Sequence, residues 1–328
     1  MTLRIFQAED LDAHAVERAL VEHGGFLLEA ASVRELTPPL IDEARAFFAL
    51  PRGEKQRVAI ERSAHFRGWS EMHNARDWRE QLHFGRERPV ATRGSAHDAL
   101  EGPNLWPESS TFRAALLAYL TSTADLGEKL LRTIAQAAGL PETAWARTAH
   151  DGYALLKLIA YHPQPAQEAA APRAGVAAHV DFSWLTATWQ DHPGLEIRTP
   201  RGEWRLVPPH PDGLWVHPGE ILEHATRGRY SATPHRVTNH STERTRLSMP
   251  FFVNPPLAAM VPALEPRGDP MRSHATSPDP VHVHRVLSRG GPYLPLHFGQ
   301  AEWRRKGQNR WCSICTEPIE SEPIESKA

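Results

Sequence analysis

His179-Val180-Asp181 carries the sharpest chemistry in the sequence. On a strand, residues two apart point to the same face. One strand end can therefore offer an imidazole and a carboxylate to a single metal ion. A third ligand has to come from elsewhere, and His235, in Ser231-Ala-Thr-Pro-His235-Arg-Val237, opens a strand-like run after a proline. Two neutral imidazoles and one carboxylate on one face leave three positions of an octahedron open, the facial arrangement in which Fe(II) activates O2. Zinc accepts the same ligands, so ligand type alone does not fix the metal. Further on, Arg246-Leu247-Ser248 again places two polar residues two apart, in the run Arg246-Leu-Ser-Met-Pro-Phe-Phe-Val253. A guanidinium beside a hydroxyl makes a clamp for a carboxylate. Inside an apolar barrel such an arginine requires an anion, because a buried unpaired charge is costly.

Two other patterns invite chemistry without supporting it. His210-Pro211-Asp212 repeats the H-x-D spacing, but it sits in Pro208-Pro-His-Pro-Asp-Gly213, where flanking prolines and the glycine specify a turn. Cys312-Ser-Ile-Cys315 has the spacing of half a zinc site, but no second ligand pair follows it and no βαβ context suits redox chemistry, so it reads as incidental.

The elements that must position these groups fall into two textures. The N-terminal part reads as mixed and mostly helical. A helix is predicted over 11–22, a short buried strand over 24–28 and a second helix over 39–50, stopped by Pro51. Residues 61–112 give few regular signals, and 112–139 reads as a long amphipathic helix capped by Gly139. From Tyr153 the pattern changes to short apolar or alternating runs cut by Pro, Gly and Asp: 153–161, 176–180, 184–190, 194–198, 203–207, 213–217, 235–239 and 246–253. Close spacing of strands with turn signals predicts a sandwich or barrel over about 150–255, with the helical region packed against it. The division expected is 1–112 as the N-terminal helical and mixed region and 113–305 as the long helix plus β core. The acidic, repetitive tail, 306–328, with Glu317-Pro-Ile-Glu-Ser-Glu-Pro-Ile-Glu-Ser326, is expected to be disordered.

Composition sets the boundaries. The chain has 328 residues, 41% apolar and 23% charged, with 37 basic against 39 acidic side chains, which removes the electrostatic argument for nucleic acid. No apolar run reaches the roughly 18–20 residues of a membrane span, and the first residues lack the order of a signal peptide. Two cysteines in this length give no disulfide framework and suggest a reducing, cytoplasmic setting. The 29 prolines favour strands and turns. Oligomeric state is open.

Taken in order, these motifs resemble the iron- and 2-oxoglutarate-dependent dioxygenases of the isopenicillin-N-synthase-like family. The matching stretches run from His179-Val-Asp181 through Leu185-Thr186, Gln190-Asp191, Gly194-Leu-Glu-Ile197 and Trp204-Arg-Leu-Val-Pro-Pro209. They continue with Gly219-Glu-Ile-Leu222, Gly228-Arg-Tyr230, Ser231 to Val237 and Arg246 to Phe252. Upstream, Gly25-Phe-Leu27, Phe47-Phe-Ala-Leu-Pro51 with Glu54-Lys55, Arg67-Gly-Trp69 and Asp77-Trp-Arg-Glu80 fit the same family's N-terminal region, so the resemblance covers roughly 20–305.

The resemblance implies a mainly β fold with flanking helices: a double-stranded β-helix, the cupin-like jelly roll, with an N-terminal helical region. It implies Fe(II) held by His179, Asp181 and His235, with 2-oxoglutarate as co-substrate and O2 as oxidant. Arg246 and Ser248 would bind the distal carboxylate of 2-oxoglutarate, with Tyr161 nearby and Lys157 reaching the co-substrate or a substrate carboxylate. Phe182, Trp184, Phe252, Arg67 and Trp69 are the residues expected nearest the substrate. Two departures stand out. Ile159 and Ala160 replace the first Asn and Tyr of a common Asn-Tyr-Tyr-Pro, at the site of one expected hydrogen bond to the co-substrate. His217-Pro-Gly-Glu220 stands where relatives usually carry Asn-x-Gly-Asp, and His217 reads as a packed or hydrogen-bonded histidine. Related halogenases replace the metal carboxylate with a small residue, so Asp181 points to hydroxylation, desaturation or ring closure of a small, amino-acid-like or secondary-metabolite substrate, with succinate and CO2 released. The alternatives within the fold are an oxidase whose Arg246 and Ser248 grip the substrate's own carboxylate without 2-oxoglutarate, and an ethylene-forming-like activity. A scaffold that keeps the fold without turnover is the alternative outside enzymes.

Overall fold

The structure is a computed structural model. It describes residues 3–74, 76–90, 95–140, 145, 152–163, 173–239, 243–263 and 296–302. The expected disordered tail and the Cys312–Cys315 pair lie outside these residues.

An eight-stranded sheet runs in the order β1 (Ile5–Gln7), β2 (Phe26–Glu29), β10 (Gly213–Pro218), β7 (Leu185–Gln190), β12 (Arg246–Val253), β5 (Leu155–Tyr161), β4 (Trp78–Phe84) and β3 (Gly68–His73). All its pairings are antiparallel except β1 with β2. A second, four-stranded sheet runs β6 (Arg173–His179), β11 (His235–Asn239), β8 (Leu195–Arg198) and β9 (Trp204–Leu206). A two-stranded piece joins β13 (Met260–Val261) to β14 (Leu296–His297). Between the two larger sheets lies a small apolar cluster including Ile159, Tyr161, Leu195, Ile197, Trp215 and Val237. This is a jelly roll, and every strand expected from Tyr153 onward is present with its ends shifted by a few residues at most.

The other face of the large sheet is covered by helices. α1 (Ala13–His23) starts where Asp12 accepts the Ala15 amide at 2.6 Å and ends at Gly24, whose φ of 75° suits a glycine. α4 (Ser110–Ala137) is capped by Ser109, which accepts the Phe112 amide at 3.1 Å. Its buried stripe, Leu116, Leu120, Leu130, Leu131 and Ile134, packs against α1 and α2 (Ala31–Phe48). Each fully buried leucine there contributes about 2 kcal/mol.

Two expectations need correction. α2 begins eight residues before the predicted 39–50 helix and carries Pro38 and Pro39 inside it. The lost amide bonds are offset by burial of Val33, Thr37, Leu40, Ile41 and Ala44 on one face. Residues 61–112, which gave few signals, contain β3 and β4, a hairpin whose turn is held by Asn74 accepting the Arg76 and Asp77 amides. The N-terminal region therefore also supplies both edges of the large sheet, β1-β2 on one side and β4-β3 on the other.

A buried ion pair ties that region to the core. Glu80 on β4 accepts hydrogen bonds from Lys55 (2.6 Å), in α3 (Arg52–Lys55), from Trp69 Nε1 (2.8 Å) and from His162 (2.8 Å). Burial pushes this carboxyl up, but the donors outweigh it and hold it at about 2.

Candidate metal centre

His179 is the last residue of β6, and His235 is the first of β11, directly across the ladder from it. Asp181 follows two residues beyond His179, where the chain leaves the sheet. The three side chains each offer one donor atom, all within 4.8 Å of one another. His179 Nε2 lies 3.5 Å from Asp181 Oδ1, and His235 Nε2 lies 3.5 Å from Oδ2. Each imidazole uses its other nitrogen on the backbone: His179 Nδ1 donates to the Ala177 carbonyl at 2.9 Å, and His235 Nδ1 to the Thr233 carbonyl at 3.0 Å. Those bonds fix both rings in the tautomer whose Nε2 lone pair faces the carboxylate, the state a metal requires. Burial pushes His235 down to about 3, against the pull of Asp181, so its ring is neutral near pH 7. Burial works to raise Asp181, but the attraction of a carboxylate for the charged, protonated forms of His235 and His179, together with the hydrogen bond from His217, outweighs it and holds the carboxyl well below its ordinary value.

The segment carrying Asp181 is clamped from behind. The Glu220 amide donates to the Asp181 carbonyl at 2.8 Å and the Ile221 amide to the Ser183 carbonyl at 3.0 Å, both from the start of α5 (Glu220–Ala225). Gly219 passes so close that an added Cβ would fall 2.8 Å from the Asp181 carbonyl and closer still to that of Ser183. Thr186, on β7, donates to Asp181 Oδ2 at 2.6 Å, and His217 on β10 lies 3.2 Å from the same oxygen. Neither was singled out as a site residue from sequence, although both stand in stretches that match the family or depart from it.

Arg246 enters the same barrel from β12. Its guanidinium is 1% exposed and lies over the Tyr161 ring, 4.7 Å from the centroid, with Tyr161 directly across the ladder. Nε donates to the His192 carbonyl (3.0 Å) and Nη2 to Gln190 Oε1 (2.6 Å). Nη1 is buried and has no hydrogen-bond acceptor among the described residues. Burial lowers the guanidinium's pKa, with Tyr161 and Asp191 acting in the opposite direction. A cation so placed, with one donor left over, fits an anionic ligand. Ser248 is buried two residues along the same strand, opposite Ile159 and Gln190. Gln190 and Gly194, whose close approach leaves no room for a Cβ beside Arg246 Nε, are the positioning elements that the motif alone did not assign.

The remaining candidates divide. Phe252 lies across from Thr186, which itself holds Asp181, and Lys157 Nζ sits 4.9 Å from the centre of its ring. Lys157 is four residues along β5 from Tyr161, about 13 Å at strand rise, and so belongs to the Phe252 end. Phe182 adjoins Asp181 and stacks on Phe298 at 5.6 Å. Trp184, Arg67 and Trp69 are buried and held by neighbouring side chains and carbonyls. Trp184 is fully buried against Trp145 in the main core. Arg67 gives its two Nη groups to the His65 and Leu100 carbonyls and to Tyr153, and Trp69 is bonded to Glu80. The repeated His210-Pro-Asp212 is a turn, with His210 3.0 Å from Glu29 and Asp212 3.1 Å from Arg34.

Comparisons with known proteins agree with this geometry. A family model described as the 2OG-Fe(II) oxygenase superfamily matches residues 151–255, and one described as the N-terminal region of a non-haem dioxygenase in morphine synthesis matches 6–109. The homoarginine-6-hydroxylase 2-ODD-C23.1 of Arabidopsis thaliana is 31% identical over 248 residues, 71% of each chain. The homoarginine-6-hydroxylase 2-ODD-233 of Oryza sativa subsp. japonica is 30% identical over 267 residues, 76% of this chain and 79% of the relative. Among solved structures, a 2OG-Fe(II) oxygenase family protein from Caulobacter crescentus aligns with a TM-score of 0.73 and 25% identity, covering 94% of this chain and 99% of that one. A full-length Neurospora crassa protein solved in complex with alpha-KG shares the fold, with a TM-score of 0.74 at 19% identity, covering 94% and 96%.

Proposed function

This chain belongs to the 2-oxoglutarate- and Fe(II)-dependent oxygenase superfamily, and from that premise we propose that it hydroxylates, desaturates or cyclises a small molecule, with His179, Asp181 and His235 holding the iron. The observation that carries the reading is Arg246, a fully buried cation with one donor unused, placed in the same barrel as the three metal-facing side chains. Arg246, with Ser248 and Tyr161, would take the distal carboxylate of 2-oxoglutarate.

Bound together, Fe(II) and 2-oxoglutarate supply the oxidising power drawn from O2, with succinate and CO2 as co-products. The chain's own residues provide the rest. Two imidazoles held in one tautomer, and a carboxylate tied on one oxygen, keep the ligand set on one face and leave the opposite side open. Gln190 and the His192 carbonyl hold the guanidinium in place before the co-substrate arrives. Phe252, Phe182 and Lys157 line the substrate side, with Lys157 toward the substrate and not the co-substrate. The presence of Asp181 supports oxygen insertion or hydrogen removal over halogenation, and the hydroxylase names of two relatives support hydroxylation.

The test is succinate formation from 2-oxoglutarate in air by the iron-loaded chain, screened against small amino-acid-like and secondary-metabolite compounds. The reading requires succinate release that rises with a substrate and vanishes in His179→Ala. Oxygen uptake that needs no 2-oxoglutarate would replace it with the oxidase of the same fold.

A further inference from the structure

His217 is a buried polar side chain at the metal centre that the proposed reaction does not use. It is 1% exposed, its ring lies 4.6 Å from that of His235, and its Nε2 is 3.2 Å from Asp181 Oδ2. It stands directly across the β10–β7 ladder from Thr186, so both side chains leave the sheet on the same face. Thr186 donates to that same oxygen at 2.6 Å, and its hydroxyl is 3.1 Å from Ser183 Oγ. An ionised carboxylate only accepts. His217 Nε2 must therefore carry a proton to make its contact, which leaves Nδ1 as the acceptor. Nδ1 is buried with no partner among the described residues, so among them the contact with Asp181 is the polar one that holds this ring.

We infer that His217 is a positioning residue for the metal carboxylate: with Thr186 it saturates Asp181 Oδ2, so that the carboxylate presents Oδ1, on the His179 side, as a one-oxygen ligand. This rests on the metal-triad reading above. The two donors come from adjacent strands, and the Ser183–Thr186–Asp181 chain polarises the second of them. Groups that orient a metal ligand from behind tune its binding, and their loss typically costs about 10–100-fold in metal affinity or activity. The imidazole at this position then has a function that explains why a polar group is retained in a fully buried place: an amide could make the same bond, and an apolar side chain could not.

The experiment uses the full chain, stripped of metal and titrated anaerobically with Co(II), reading both affinity and the visible ligand-field bands. His217→Leu is expected to bind Co(II) about 10–100-fold more weakly with an altered band pattern. His217→Gln, whose amide nitrogen lies about as far along the side chain as the imidazole Nε2 and can donate to Oδ2, is expected to restore both. Wild-type affinity and bands in a folded His217→Leu would overturn the inference. Failure of the wild-type chain to bind Co(II) would instead overturn the triad. A second measurement does not depend on a variant folding: nitrogen-15 NMR of histidine-labelled wild-type chain should show His217 protonated on Nε2. A ring protonated only on Nδ1 has nothing to donate to Asp181 and contradicts the assignment.

Discussion

His235 and His179 face each other across the first rung of the β6–β11 ladder, their rings 4.2 Å apart, with Asp181 reaching both from two residues further along the chain. A single rung thus converts two histidines far apart in sequence into neighbours. Replacing either with alanine should abolish stoichiometric Fe(II) binding, measured by anaerobic titration, while leaving the melting temperature of the metal-free chain within a few degrees. The backbone ladder, not the imidazoles, holds the strands.

Gly219 sets the height of the Asp181 segment. Gly219→Ala should push that segment away from α5 and weaken metal binding by roughly tenfold or more, the scale set by loss of a group that orients a ligand, since the Cβ has no space between the Asp181 and Ser183 carbonyls. Because the glycine's φ is −105°, the effect comes from collision and not from backbone strain. Metal titration beside thermal melting separates the two: unchanged affinity would show that the segment can move freely.

The arginine clamp predicts a split in kinetics. Arg246→Lys keeps a charge but loses the fixed fork, and should raise the KM for 2-oxoglutarate about 100-fold, equivalent to about 3 kcal/mol. Gln190→Leu removes the acceptor that orients Nη2 and should raise that KM by a smaller factor, with little change in iron affinity. Steady-state succinate assays at varied 2-oxoglutarate check both, and equal effects on iron binding would count against the assignment.

Glu80 predicts an acid transition. Its carboxyl titrates at about 2 in the folded chain against a usual 4.5, so the stabilisation it gives is complete above about 4.5. That contribution, on the order of 3 kcal/mol, is lost as pH falls from there toward 2. Urea unfolding at a series of pH values should show this loss in the wild type and a flatter profile in Glu80→Gln, which should also be less stable at neutral pH. Parallel profiles would place the acid-sensitive group elsewhere.

The candidate site was legible because its residues sit at strand-like spacings. His179, Arg246 and Ser248 lie on strands that prolines and glycines punctuate in the sequence, and Asp181 comes two residues after His179, just past the end of β6. What stayed hidden depends on contacts across strands. Nothing in the local sequence links Thr186 to Asp181 or Gln190 to Arg246, since those pairs are made by sheet register and by a turn. The β3–β4 hairpin escaped because its strands mix charged and aromatic residues, and the reason appears only in three dimensions: Glu80, Trp69 and Lys55 form one buried network. Trp184, Arg67 and Trp69 stood out by residue type, while their partners, Trp145, the His65 and Leu100 carbonyls with Tyr153, and Glu80, come from other elements and could not be read from the local sequence. α2 ran through two prolines because burial of its apolar face outweighed local propensity.

The most direct test of the central claim is anaerobic addition of Fe(II) and then 2-oxoglutarate to the metal-free chain, followed in the visible range. A weak charge-transfer band should appear in the wild type, vanish in His179→Ala and weaken in Arg246→Ala. Iron binding with no band on addition of 2-oxoglutarate would contradict the assignment of Arg246 and its neighbours to the co-substrate. No iron binding at all would contradict the triad itself.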